Sequence, residues 1–169
     1  MNTRRTHHNG FTLLEVLVSL VVLSIGLLGI GKLMMFSSRA NDSAYMRSQA
    51  TALAYSILDD MRANQQDAIN GLYNTGLGAY GNPGFTCNLA SPCTVSGQLS
   101  QYDLYTWKTA MLGDLPAGDG TVATVQSADP ITGATITMAT ITVQWNDAVA
   151  QQTFGNGAQT LAITLETQL

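Results

Sequence analysis

The chain has 169 residues, 46 % apolar and only 11 % charged, with a formal net charge of −4. This length suits one domain with an appendage and excludes two independently folded domains. Residues 63–169 carry Lys108 alone against seven acids (Asp67, Asp103, Asp114, Asp119, Asp129, Asp147, Glu166), so 1 − 7 = −6, a charge that phosphate would repel; direct nucleic acid binding through this part is excluded.

Arg4 and Arg5 precede Gly10, and residues 11–31, FTLLEVLVSLVVLSIGLLGIG, then give 21 consecutive positions with one charge, Glu15. As a helix this block reaches about 30 Å, the thickness of a bilayer's hydrocarbon core. The two arginines keep the N-terminus cytoplasmic and send the remainder across. A secretory signal peptide has a shorter apolar core, of roughly 7 to 15 residues, and a small-x-small cleavage site. Here the block is too long, and Lys32-Leu33-Met34-Met35-Phe36 follows it. A single-pass anchor explains length and orientation but not Glu15. A carboxylate inside hydrocarbon costs about 2.5–3.5 kcal/mol. Glu15 lies near one end of the block, so snorkelling to the headgroups is the bland reading and a functional partner the sharper one.

No proline occurs before Pro83, so an unbroken helix is predicted from Phe11 to about Arg62. Gly26, Gly29 and Gly31 each weaken it by about 1 kcal/mol relative to alanine, and they permit either local melting or close helix packing. Beyond the apolar block, Met46, Ala50, Leu53, Ile57 and Met61 form a stripe for a globular core, while Arg47, Gln49, Asp59 and Arg62 face elsewhere. Asn70-Gly71 marks a turn. The stretch from there to about Ser100 is loop-rich, with six glycines, two prolines and both cysteines.

Cys87 and Cys93 have five residues between them. A closed zinc site needs four ligands, which this pair lacks. A disulfide in an oxidising compartment such as the periplasm fits better, with two unpaired cysteines as the alternative. Downstream, Leu104, Trp107, Met111 and Leu112 are spaced for a short helix that Ser100 or Asp103 can cap and Gly113 can end. Residues 115–120 are a turn cluster. Strands are predicted over Thr121–Gln126, Thr135–Trp145 and around Leu161, Ile163 and Leu165, with turns at Asn146-Asp147 and Gly155-Asn156-Gly157. Three or four antiparallel strands against the amphipathic helix give an α+β fold.

No catalytic residue is expected. His7 and His8 both precede Gly10, and neither a G-x-S-x-G elbow nor a phosphate-binding glycine loop is present. Asp59-Asp60 reads as a solvated pair rather than an acid/base dyad. No cofactor and no metal site is expected.

The order basic leader, Gly10, Phe11-Thr12-Leu13-Leu14-Glu15 and long apolar helix resembles the type IV pilin family. The resemblance implies the type IV pilin fold, a long N-terminal helix with a membrane half and an amphipathic half packed on a small antiparallel sheet. It implies cleavage between Gly10 and Phe11 by a prepilin peptidase, and N-methylation of the new Phe11 amine. Glu15, at the fifth mature position, would pair with a neighbouring subunit's amine once helices pack together, since an unpaired carboxylate there is costly; pairing would select the assembly register. The chain then divides into a leader at 1–10, a hydrophobic membrane and filament-core helix at 11–38 and a periplasmic globular part at 39–169. The resemblance also implies that the inner membrane holds the subunit before assembly and the pilus at the cell surface afterwards.

Further along, Ala52-Leu53-Ala54-Tyr55, Asp60-Met61-Arg62-Ala63-Asn64 and Gly71-Leu72-Tyr73-Asn74 are similar to the PilV family of minor pilins, also called type IV pilus modification proteins. Trp107, residues 115–118 and Thr142-Val143-Gln144-Trp145 look like later landmarks of that family. That resemblance implies a low-abundance subunit partnered by other minor pilins, the major pilin and a tip adhesin, with Arg62 and Asn64 as partner contacts or, for Arg62, a helix-end charge. A minor pseudopilin of a type II secretion system would share the leader, Glu15 and the fold.

Overall fold

The computed structural model describes residues 10–147 and 160–169; Arg4, Arg5, His7, His8 and the turn expected at Gly155-Asn156-Gly157 lie outside them. Among the described residues six elements follow in order: α1 (Leu13–Ala63), α2 (Gln65–Ile69), α3 (Gln98–Asp114), β1 (Asp119–Ala128), β2 (Thr135–Asn146) and β3 (Thr160–Gln168). The chain divides into two compact units, with the boundary between Ala40 and Asn41.

In the first unit, α1 runs unbroken through Gly26, Gly29 and Gly31. Its apolar side chains, from Leu13 to Phe36, are exposed. Ser19 and Ser24 donate their hydroxyls to the carbonyls of Glu15 and Leu20, at 2.7 Å in each case. Both are thereby satisfied within an apolar stretch that has the length and composition to cross a membrane.

In the second unit, Asn41–Leu169, the later turns of α1 bury Ala50, Leu53, Ile57 and Met61, the predicted stripe, together with a second row, Ala54 and Leu58. Met46 is partly buried against the same core. Leu104, Trp107 and Met111 of α3 join this core, as do Val122 of β1 and Ala139, Ile141, Val143 and Trp145 of β2. Trp107 keeps its indole N–H satisfied while buried, donating to the Leu53 carbonyl at 2.8 Å. That bond ties α3 to α1.

The sheet is antiparallel in the order β1-β2-β3. Val122 faces Ile141, which faces Leu165, and Val143 faces Ile163, so one face is aliphatic across all three strands. The opposite face carries Thr142 and Thr164, whose hydroxyls lie 3.2 Å apart. This is the period-2 alternation of a half-buried sheet. Asp129 shapes the β1–β2 connection by accepting the N–H groups of Ile131 and Thr132. Thr75 pairs with Val122 through an isolated antiparallel bridge and does not form a fourth strand.

Several local expectations are corrected. Helix α3 starts at Gln98, so neither Ser100 nor Asp103 caps it. Gly97 holds the cap position at φ +84°, a backbone setting that costs glycine least, and its N–H is taken by Asp67 of α2. Gly113 lies inside the helix, which ends at Asp114. Leu112 is 66 % exposed, and Leu115, just past the helix, fills the core instead. Asp60 is not a solvated twin of Asp59, because it is half-buried beside Asp103.

Candidate functional site: the head of helix α1 and the polar clusters of the globular unit

Gly10, Phe11 and Thr12 precede α1, and Phe11 is 83 % exposed. The helix begins at Leu13 because Thr12 caps it. The Thr12 carbonyl accepts the N–H groups of Glu15 and Val16 at 3.1 and 3.2 Å, and its hydroxyl oxygen lies 3.3 Å from the Glu15 nitrogen. Thr-x-x-Glu is a helix-start signature, so Thr12 was legible as a cap, although only Glu15, by its cost in hydrocarbon, and Phe11, by the resemblance, stood out in the sequence. Two consequences follow for chemistry. The Gly10–Phe11 peptide stays outside the helix and exposed, as a protease requires of its substrate. Glu15 sits in the first turn, where the helix dipole favours a carboxylate.

Three polar clusters and a disulfide stand out among the described residues of the globular unit. Asp67, buried on the five-residue α2, accepts hydrogen bonds from Asn64 Nδ2, Ser96 Oγ and Gly97 N, each at 2.9 Å. Burial alone would raise its pKa, but these three donors outweigh it and hold the carboxyl below its ordinary value. Sequence reasoning counted Asp67 only as surface charge. Its signal was the short spacing Asn64-x-x-Asp67 before a loop rich in free N–H groups.

A second cluster joins the ends of α1 and α3. Tyr73, buried, donates its hydroxyl to Asp103 Oδ2 at 2.6 Å. Burial, and then the negative charges of Asp103 and Asp59, push Asp60 up to about 6. Burial also raises Asp103, with the Tyr73 hydrogen bond opposing it, while burial and the Asp103 hydrogen bond push the Tyr73 phenol up.

Lys108, the only cation after Arg62, is buried. Its ammonium donates to the carbonyls of Gly76 at 2.8 Å and Gly120 at 2.5 Å, and to Asp119 Oδ1 at 2.6 Å. A cavity of about 230 Å³ lies beside it, lined in part by Gly78, Ala79, Leu112 and Ala117. The three ammonium donors are already engaged, so Lys108 acts as an internal tie between the loop, α3 and β1.

Finally, Cys87 and Cys93 are joined by a disulfide with Cα atoms 5.3 Å apart, in a loop free of regular structure. Arg62 makes an exposed contact with Asp59 at 3.9 Å, and Asn64 is engaged by Asp67.

An exposed glycine–phenylalanine bond at the head of a capped apolar helix, followed by an α+β unit with a three-stranded antiparallel sheet, is consistent with a type IV pilin fold. Residues 5–31 match the family model of the prokaryotic N-terminal methylation motif, which supports the pilin family, whether type IV pilin or pseudopilin. The motif marks a substrate of a prepilin peptidase, and the apolar helix that carries it has the length and composition to cross a membrane. No curated protein and no solved structure matches the chain.

Proposed function

We propose that the chain is a minor pilin of a type IV pilus, similar to PilV, processed between Gly10 and Phe11, methylated at Phe11 and incorporated near the tip with other minor pilins that prime assembly and support an adhesin. The observation that carries the class is the methylation motif over residues 5–31, seated on an exposed Gly10–Phe11 bond and a Thr12-capped helix. The finer reading rests on the PilV-like patches. Several of these have structural roles here: Met61 and Tyr73 are core residues, Asn64 serves Asp67, and Asn74 Oδ1 accepts both the N–H and the hydroxyl of Thr124.

Glu15 is the assembly-register residue in this proposal. In the precursor the carboxylate is held near the membrane face. In a bundle of apolar helices it needs a partner, and the cationic Phe11 amine of a neighbouring subunit supplies one. Glu15→Leu is then cleaved and inserted like the wild type but enters filaments poorly; normal incorporation would rule out the register role. Deleting the gene and counting surface pili tests the minor-pilin reading itself. Loss of pili with secretion intact is expected, whereas intact piliation with a secretion defect points to a pseudopilin.

A further inference from the structure

The loop between α2 and α3 combines three properties not explained by folding. Residues 68–102 contain no Asp, Glu, Lys, Arg or His, although the unit around them is acidic. Within this stretch the Cys87–Cys93 disulfide closes a small ring. Leu89, in the ring, is fully exposed at 104 %.

The ring is fixed by more than its disulfide. Asn88 Oδ1 accepts the N–H groups of Ala90 at 2.9 Å and Ser91 at 2.8 Å, and the backbones of Asn88 and Ser91 exchange two bonds of 3.1 Å. The segment leaving the ring is pinned three and four residues after Cys93, where Ser96 and Gly97 donate to the buried Asp67. A leucine held in water on an ordered loop has no stabilising role in the free unit. Its ordering entropy is already spent before any partner arrives, which is the property of a preorganised contact.

The chemistry of the ring selects the partner class. A lipid surface is poorly served by one leucine in a ring, residues 87–93, that holds neither cations nor aromatic residues. Nucleic acid needs positive charge, and residues 68–102 have none. Depletion of charge around an exposed apolar anchor is what the centre of a protein interface requires.

We propose that the Cys87–Cys93 ring is a preformed plug that seats Leu89 in an uncharged apolar socket on a neighbouring pilin-like subunit. This rests on the assembly reading above, which makes other pilin-like chains the proteins next to it. The disulfide keeps the plug in shape, and Asp67 fixes its root.

The test uses the full-length chain in its own host, with a photoreactive phenylalanine analogue in place of Leu89 or, as control, Ile131, which is 92 % exposed on the β1–β2 connection. On irradiation the Leu89 position gives a discrete adduct with another methylation-motif chain. The yield falls at least tenfold when Cys87→Ser and Cys93→Ser open the ring, while the Ile131 pattern is unchanged. An adduct with lipid only, no protein adduct, or a yield indifferent to ring opening would overturn the proposal. Leu89→Asp, with the ring intact, guards against unfolding in the serine variant: incorporation into sheared filaments drops at least fivefold with thermal stability unchanged, and normal incorporation would overturn it. Leader cleavage is scored in the same cells. An uncleaved precursor contradicts the pilin reading, whereas cleavage without a protein adduct contradicts the plug alone.

Discussion

Replacing Asp67 with alanine removes the acceptor that holds α2, the root of the disulfide loop and the start of α3 together. Three donors converge on this carboxylate at 2.9 Å, and the side chain is nearly inaccessible. Hydrogen bonds to a charged acceptor are each worth roughly 1.5–3 kcal/mol, and a buried donor left unpaired, here the Gly97 N–H, costs about 1–3 kcal/mol. Setting these against the relief of desolving a carboxylate leaves a net loss of about 3 kcal/mol, roughly a 10 °C fall in Tm for a unit of this size. Asp67→Asn keeps one acceptor oxygen and should lose about 2 kcal/mol. The assay is urea unfolding of the full chain in detergent micelles, followed through the buried Trp107 and Trp145. The pH dependence gives a second readout. Because the folded carboxyl lies below its unfolded value of about 3.9, its contribution is present above that pH and is lost as pH falls through the folded value. Wild type therefore loses more stability between about pH 4 and pH 2 than Asp67→Ala does. A change within about 0.5 kcal/mol, the scatter of ordinary surface substitutions, would refute the reasoning.

Lys108→Met leaves Asp119 and two carbonyls without their cation and should cost about 3 kcal/mol in the same unfolding assay; a neutral result would mean that water replaces the ammonium freely. Gly120→Ala places a methyl 2.7 Å from the Thr142 carbonyl oxygen and 2.7 Å from the ring of Trp107, so a loss of about 2–3 kcal/mol with altered Trp emission is expected. For Asp60, raised to about 6, the folded state binds the proton more tightly than the unfolded chain, so stability falls as pH rises from about 4 to 6 and stays lower above that range. Asp60→Asn should make that slope shallower and add about 1 kcal/mol at neutral pH, a figure discounted for half-exposure; an unchanged pH profile counts against the cluster.

The parts of the fold that depend on local pattern were readable. The unbroken α1 followed from the absence of proline, its core stripe from the spacing of Met46 to Met61, and the strands from their β-branched residues. What escaped were contacts between segments distant in sequence. Gly97 holds the cap position of α3 in place of Ser100 or Asp103, and the carboxylate that takes its N–H, Asp67, lies 30 residues away in sequence. Asp60 looked solvated because Asp59 beside it is, and only the return of the chain at Tyr73 and Asp103 buries it. Lys108 carries no mark of burial in a sequence, since lysine is ordinarily exposed. At the N-terminal site the opposite holds. Gly10, Phe11, Thr12 and Glu15 are consecutive or nearly so, and the roles proposed for Gly10, Phe11 and Glu15 rest on order along the chain rather than on tertiary contact.

The central claim is that Gly10–Phe11 is a prepilin processing bond at the head of an assembly helix. Co-expressing the full chain with an active prepilin peptidase, and reading the mature N-terminus by mass spectrometry, tests it most directly. The account predicts a chain beginning at Phe11 with one added methyl on its α-amine, and no such product with an inactive peptidase or with Gly10→Trp. A precursor that keeps its first ten residues beside an active peptidase would contradict it.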